Sequence, residues 1–321
     1  MRNKKKNYMI AVVIILIITA VMYYWYPAKK KNNSIIHKNN IRTESIDTSG
    51  LTEKFLNAVI EKSDTLNYSV TQNFEENNIS QKNEDKFSSL VIVIDDVGSN
   101  LKLLKEFLSI EAELNFAVIP DLEHTDKSME LIMESGKNLL LHLPIEPENP
   151  SHMKNAKDFI LTSMTDSEIE KRMSYLFEKY SGIDGINNHM GSKGTADSRL
   201  MNILMSKIKS YNMTVSNKKI FFLDSRTSPK TEAYSIAKKY DIGSILNQGF
   251  LDNEDNEQKI FDRLNMFYNK SLSEKKTLVV IGHLRHSTLS AIKRFVLSEP
   301  FLSGKINFIS CKEYLLDKSI L

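Results

Sequence analysis

The sequence predicts an α/β fold, a closed or nearly closed β/α barrel, and three observations lead there. Beyond Lys86, short apolar runs alternate with stretches of helical period. The runs are continuous in Val, Ile and Leu, as in strands buried on both faces, and strands separated by helices form a parallel sheet covered on both sides. The roughly 235 residues from 86 to 321 hold seven or eight such units, which suits a barrel. No internal repeat is evident.

The elements follow in order. Tyr8 to Tyr26 carries no charge, with an apolar centre from Met9 to Met22; about 19 residues span roughly 28 Å as a helix, close to the thickness of a bilayer core. Residues 1–26 therefore read as a cytoplasmic tip and a transmembrane signal anchor. Arg2, Lys4, Lys5 and Lys6 precede the run, and Lys29, Lys30 and Lys31 follow and weaken the asymmetry. Tyr24-Trp25-Tyr26 stands where a cleaved signal peptide needs small residues. The expectation is a single-pass protein of the cytoplasmic membrane, its C-terminal domain facing the cell exterior or periplasm. Residues 27–85 are rich in Asn, Lys, Ser and Glu and read as a polar, flexible linker. Leu51, Phe55, Leu56, Val59 and Ile60 interrupt it at helical spacing.

In the 86–321 domain the strands are expected at 90–94, 114–119, 138–142, 185–188, 220–223, 243–246, 278–281 and 306–309. Thr165 and Glu168 have capping-box spacing ahead of Ile169, Met173, Leu176 and Phe177. Ser228-Pro229 reads as an N-cap with proline at the first helical position. Met201 and Met205 are expected to fill the core.

Composition removes several function classes. With 43 Lys+Arg against 40 Asp+Glu the net charge is +3, and no long basic stripe marks the central region, so nucleic acid is not an expected partner. A single cysteine, Cys311, excludes disulfide scaffolds and multi-thiolate zinc sites. Any metal must rest on His, Asp and Glu, and Cys311 reads as a small buried apolar residue.

The C-terminal ends of the strands carry the polar residues. Asp95-Asp96 closes the first, His142 the third, His189 the fourth, Asp224 the fifth and His283 the seventh. That edge of a parallel sheet is where sites are assembled. One acidic residue after a strand is commonly the N-cap of the next helix. Six titratable residues at five strand ends, in a chain with 7 His, are not explained that way one by one.

Five segments in this order resemble motifs of the divergent polysaccharide deacetylase family. They are Val93-Ile94-Asp95-Asp96-Val97-Gly98, Leu141-His142-Leu143-Pro144-Ile145-Glu146-Pro147, Asn187-Asn188-His189-Met190-Gly191-Ser192, Phe221-Phe222-Leu223-Asp224-Ser225-Arg226-Thr227 and Ile281-Gly282-His283. The resemblance covers Ser89 to about Ile309. It implies a distorted β/α barrel of the polysaccharide deacetylase type, in which a divalent metal, expected to be zinc, serves hydrolysis of N-acetyl or O-acetyl groups on glycans.

Carried over by resemblance, Asp95 is the general base and Asp96 a metal ligand. His142 is a second ligand. The ordinary family has another His where this chain has Glu146, which leaves two sets open: Asp96, His142 and Glu146, or Asp96, His142 and His189, the second being the one carboxylate and two imidazoles of catalytic zinc. Glu146 then either ligates or orients a ligating His. His283 matches the late His that protonates the leaving group, with Gly282 admitting close approach by substrate. Asp224 and Arg226 match the motif in which an acid orients that His; Arg226 could instead clamp a glycan carboxylate or simply pair with Asp224. Asp252 also resembles a family position, although a helix N-cap explains it equally well.

The expected function is therefore a membrane-anchored, metal-dependent carbohydrate deacetylase acting on an acetylated cell-envelope glycan. The alternative is a weak or inactive deacetylase-like domain that binds glycan or an envelope protein, since the His-to-Glu change removes a familiar ligand. A metal phosphodiesterase would need a phosphate clamp, for which Lys193, Arg226 and Arg285 are candidates. His124 and His152, in polar loops, are expected to face solvent.

Overall fold

The computed structural model describes residues 88–153, 155–215 and 219–317. The expected anchor at 8–26 and linker at 27–85 lie outside the described residues. Among the described residues no helix is long and apolar enough to cross a membrane.

All eight expected strands are present: β1 (Ser88–Val97), β2 (Asn115–Val118), β3 (Asn138–Ile145), β4 (Gly185–Met190), β5 (Phe221–Asp224), β6 (Ser244–Leu246), β7 (Leu278–His283) and β8 (Ile306–Phe308). They form one parallel sheet in the order β6-β5-β4-β3-β2-β1-β7, with β8 paired to β1. The sheet curls until its two end strands meet through the chain that follows β6. Gln248 N–H donates to Val279 O at 2.9 Å, Ile281 N–H to Gly249 O at 3.1 Å and Leu251 N–H to Ile281 O at 2.7 Å. The eighth strand stands apart from this ring, pairing only with Ser88–Leu90 at the start of β1.

Helices cover the outside: α1 (Leu101–Leu108), α2 (Thr125–Glu134), α3 (Asp166–Lys179), α4 (Ser198–Thr214), α5 (Ala233–Lys239), α6 (Glu257–Glu274), α7 (His286–Val296), α8 (Glu299–Leu302) and α9 (Cys311–Asp317). Thr165 and Glu168 make the reciprocal capping box that starts α3, and Ile169, Met173, Leu176 and Phe177 are its buried face. Met201 and Met205 are fully buried on α4. The helix expected from Ser228-Pro229 is corrected: Pro229 and Lys230 form a turn, and α5 begins at Ala233. The cause is Asp224, whose carboxylate collects the Arg226 N–H, the Thr231 hydroxyl and the Tyr234 N–H and so holds the intervening chain as a loop.

Strand pleat divides the core into two. Leu90, Ile92 and Ile94 of β1 pack outward against the helices. Val91 and Val93, with Ala117, Leu140, Phe221, Leu223, Ile245, Val279 and Ile281, fill the inside of the ring. Cys311, Tyr314 and Leu315 of α9 close that inner core. They close it at the N-terminal ends of the strands, where Cys311 N–H donates to Asn115 and Lys312 N–H to Asn138. The opposite, C-terminal mouth is left for polar residues. Alternation places Asp95, His142, Asn187, His189 and His283 on the inward rows at that mouth.

Candidate active site

Asp96 is the exception that alternation does not explain. As the neighbour of inward-facing Asp95 it belongs to the outer row, yet pairing between β1 and β2 slips after Ile94 and Asp96 adopts φ +62°. Such a bulge turns a side chain to the other face. Its Oδ1 consequently lies 3.0 Å from His189 Nδ1 and 3.3 Å from His142 Nε2. The two ring nitrogens are 3.2 Å apart.

These three donor atoms suit a divalent cation. Four-coordinate zinc, with bonds of about 2.0–2.2 Å, sets its ligands about 3.3 Å from each other, close to all three separations. Asp96 Oδ1 is buried and has no hydrogen-bond partner, as a carboxylate oxygen reserved for a metal would be. The Asn187 side-chain oxygen takes His142 Nδ1 at 2.9 Å, so the proton sits on Nδ1 and the Nε2 lone pair faces the other two donors. Asp96, His142 and His189 are the residues that would hold the metal. Burial pushes the Asp96 carboxyl up, but His142 and His189 outweigh it and hold it well below the usual carboxylate range.

Asp95 is buried beside this cluster, its Oδ2 3.5 Å from His142 Nε2 and its Oδ1 accepting from Asn187 Nδ2 at 2.9 Å. Burial raises its pKa against the opposing pull of His142 and His283. Burial also disfavours charge on His142, yet Asp95 and Asp96 together raise its pKa.

His283 lies opposite Asp95 in the β1–β7 register. Its Nδ1 meets Asp252 Oδ1 at 2.7 Å, while Asp252 Oδ2 accepts its backbone N–H and the Thr288 hydroxyl, each at 2.7 Å. Burial would lower the His283 pKa, but Asp252 raises it. Phe250 stacks on the ring at a centroid distance of 6.0 Å. The expectation that Asp224 orients His283 is therefore corrected, because Phe221 and Leu223 face the inner core and the next residue faces out. Arg226 is exposed at φ +53° and gives its N–H to Asp224. The N-cap alternative for Asp252 also falls away, as Asn256 caps α6. Gly282 serves packing: a Cβ there would stand 3.0 Å from Thr288 Cγ2.

Glu146 does not join the donors. Along an extended strand four residues cover about 13 Å, so the His142-to-Glu146 spacing carries Glu146 past the cluster. It binds Lys193 Nζ at 2.7 Å and the Thr162 N–H and hydroxyl at 2.6 Å, and these contacts hold its pKa down against burial. Two of the three phosphate-clamp cations are likewise engaged, Lys193 by Glu146 and Arg285 by the Asp252 carbonyl at 2.9 Å, while the third, Arg226, is exposed.

A cavity of about 420 Å³ opens onto Asp96 and His189. Ile119, Pro120 and Leu122 after β2 form one wall, and Pro144, Phe159 and Met190 another. His152, exposed as expected, also lines it, with Asn155 and Asp158. His124 is half-buried at the start of α2. Sequence reasoning missed Asn187 as a partner in the site, although it shares its row with His189.

The described residues define a parallel α/β ring with a carboxylate-imidazole cluster at its C-terminal mouth, and comparison with known proteins makes the class specific. The family described as divergent polysaccharide deacetylase matches residues 92–306. The chain belongs to that family. An uncharacterised protein of Haemophilus influenzae is 31% identical over 206 residues, covering 64% of this chain and 70% of its own. The uncharacterised protein YibQ of Escherichia coli is 29% identical over 211 residues, covering 66% of this chain and 63% of its own. The crystal structure of an uncharacterised protein from Agrobacterium tumefaciens shares the fold, with a TM-score of 0.62 at 16% identity, over 71% of this chain and 89% of that one.

Proposed function

We propose that the protein is a metal-dependent carbohydrate deacetylase that removes N- or O-acetyl groups from a cell-envelope glycan. The observation that carries this reading is the placement of a His-Asp pair and a buried carboxylate, register partners on neighbouring strands, beside three convergent metal donors. The chemistry supplied by a divalent metal in such a site is Lewis-acid polarisation of the acyl carbonyl and activation of water.

The chain's own residues divide the remaining work. Asp95, buried beside the three donors, is the base for the attacking water. His283, with Nδ1 turned to Asp252, keeps Nε2 for the leaving amine or alcohol, and Asp252 raises its pKa, which favours the proton-carrying ring. Phe159, Ile119, Pro120 and Leu122 give the cavity apolar lining beside the donors. The uncharged run at 8–26 supports an anchor that holds the domain at the outer face of the cytoplasmic membrane, within reach of envelope glycans.

The test is acetate release from N-acetylated and O-acetylated glycans by zinc-loaded protein, with wild type, Asp95→Asn and His283→Ala compared. Wild type should release acetate, and each variant should keep zinc and lose about 10²-fold to 10⁴-fold in turnover. His283→Ala should harm amides more than esters, because a departing amine needs the proton more. Zinc-loaded wild type that binds glycan and releases no acetate would favour the binding-domain alternative.

A further inference from the structure

Asn187 faces two groups of the site at once. It lies directly across from His142 in the β3–β4 register and is fully buried, so water cannot replace either of its contacts. One end of its amide, Oδ1, is 2.9 Å from His142 Nδ1. The other end, Nδ2, donates to Asp95 Oδ1 at 2.9 Å and to Ser225 Oγ at 3.3 Å. The amide is oriented with its NH₂ end between Asp95 and Ser225 and its oxygen on the imidazole. The imidazole must then carry its proton on Nδ1.

We infer that Asn187 is a positioning residue which, through the two ends of one planar amide, fixes the metal-facing tautomer of His142 and holds Asp95 as an oriented proton acceptor. The inference rests on the hydrolase reading above and deepens it. A carboxamide presents a donor and an acceptor from one rigid group, whereas Asp offers acceptors alone and Leu offers neither. Ser225 keeps the amide from rotating, because it takes the second Nδ2 proton, while its own N–H is fixed by Asn188 Oδ1 at 2.9 Å.

The two ends are separable by substitution in the full chain. Asn187→Leu removes both contacts. Asn187→Asp keeps an acceptor for His142 Nδ1 but sets an oxygen against Asp95 where a donor now stands. Zinc affinity, measured by competition with a chromophoric chelator, should fall about 10-fold to 100-fold in Asn187→Leu and stay at or above the wild-type level in Asn187→Asp. The kcat for acetate release should fall about 10²-fold or more in Asn187→Asp, with KM unchanged, because the water-activating carboxylate is no longer held. A purely structural Asn would lower both readouts together in both variants.

Equal loss of zinc in the two variants, or full kcat in Asn187→Asp, overturns the inference. Wild type that binds no zinc in the same titration overturns the inference and the hydrolase reading together. Zinc binding by wild type without acetate release removes the hydrolase reading alone, and the zinc comparison then supports or overturns the hold on His142.

Discussion

Asp96 reaches the metal donors only because its backbone enters the left-handed region, at φ +62°, where a non-glycine residue is strained. Strain of that kind persists where the surroundings over-determine it, and here the bulge in β1 and the two histidines do so. Asp96→Ala, His142→Ala and His189→Ala are each expected to abolish stoichiometric zinc binding while far-ultraviolet circular dichroism stays unchanged, since the fold rests on the apolar layers beneath. Glu146→Ala should retain the zinc, because that carboxylate is committed to Lys193 and Thr162. Equilibrium dialysis with zinc distinguishes these outcomes. Asp252→Ala should move the alkaline limb of the kcat profile to lower pH. The aspartate raises the His283 pKa, so without it the acid loses its proton earlier as pH rises.

The segment between β2 and α2 gives a cavity wall its shape. Asp121, at φ +61°, accepts the Tyr175 and Tyr180 hydroxyls and Lys179 Nζ at 2.8–3.0 Å, and its Oδ2 lies 2.9 Å from Arg172. Burial would raise its pKa, but Lys179, Tyr180, Arg172 and Tyr175 hold it at about 2. Between the unfolded value near 4 and the folded value near 2 the unfolded chain binds more protons, so this contribution is complete above pH ~4 and is lost as pH falls toward 2. Asn tolerates the same backbone and lacks the charge. Asp121→Asn should therefore flatten the fall in stability over that range, as measured by urea unfolding at stepped pH. At the start of α3, Thr165→Ala should cost about 1 kcal/mol, the usual value of a lost N-cap.

At the scale of the whole molecule, much was legible in the sequence because a parallel barrel writes its strands as short apolar runs, and all eight fall where those runs lie. The row of inward polar residues was legible too, since Asp95, His142, His189 and His283 each break an apolar pattern near the end of a strand. Two features were hidden for physical reasons. Asp252 follows chain that joins β6 to β7 through backbone hydrogen bonds and the Gln248 side chain, with no periodic side-chain pattern to announce its meeting with His283. The separation of Glu146 from His142 depends on the strand continuing to Ile145, whereas in a helix the same spacing would bring them together. Strand parity would have set Asp224 aside, because Phe221 and Leu223 claim the inner row. The closure of the ring by α9 makes a further prediction. Leu315, fully buried under the inner core, should cost about 2–5 kcal/mol when changed to Ala, read from chemical denaturation.

Where a metal binds decides most directly whether these residues have the roles given to them. A zinc-soaked crystal, mapped by anomalous scattering at the zinc edge, should show one strong peak bonded to Asp96, His142 Nε2 and His189 Nδ1 at about 2.0–2.2 Å. A peak on Glu146, or no peak among these three side chains, would contradict it.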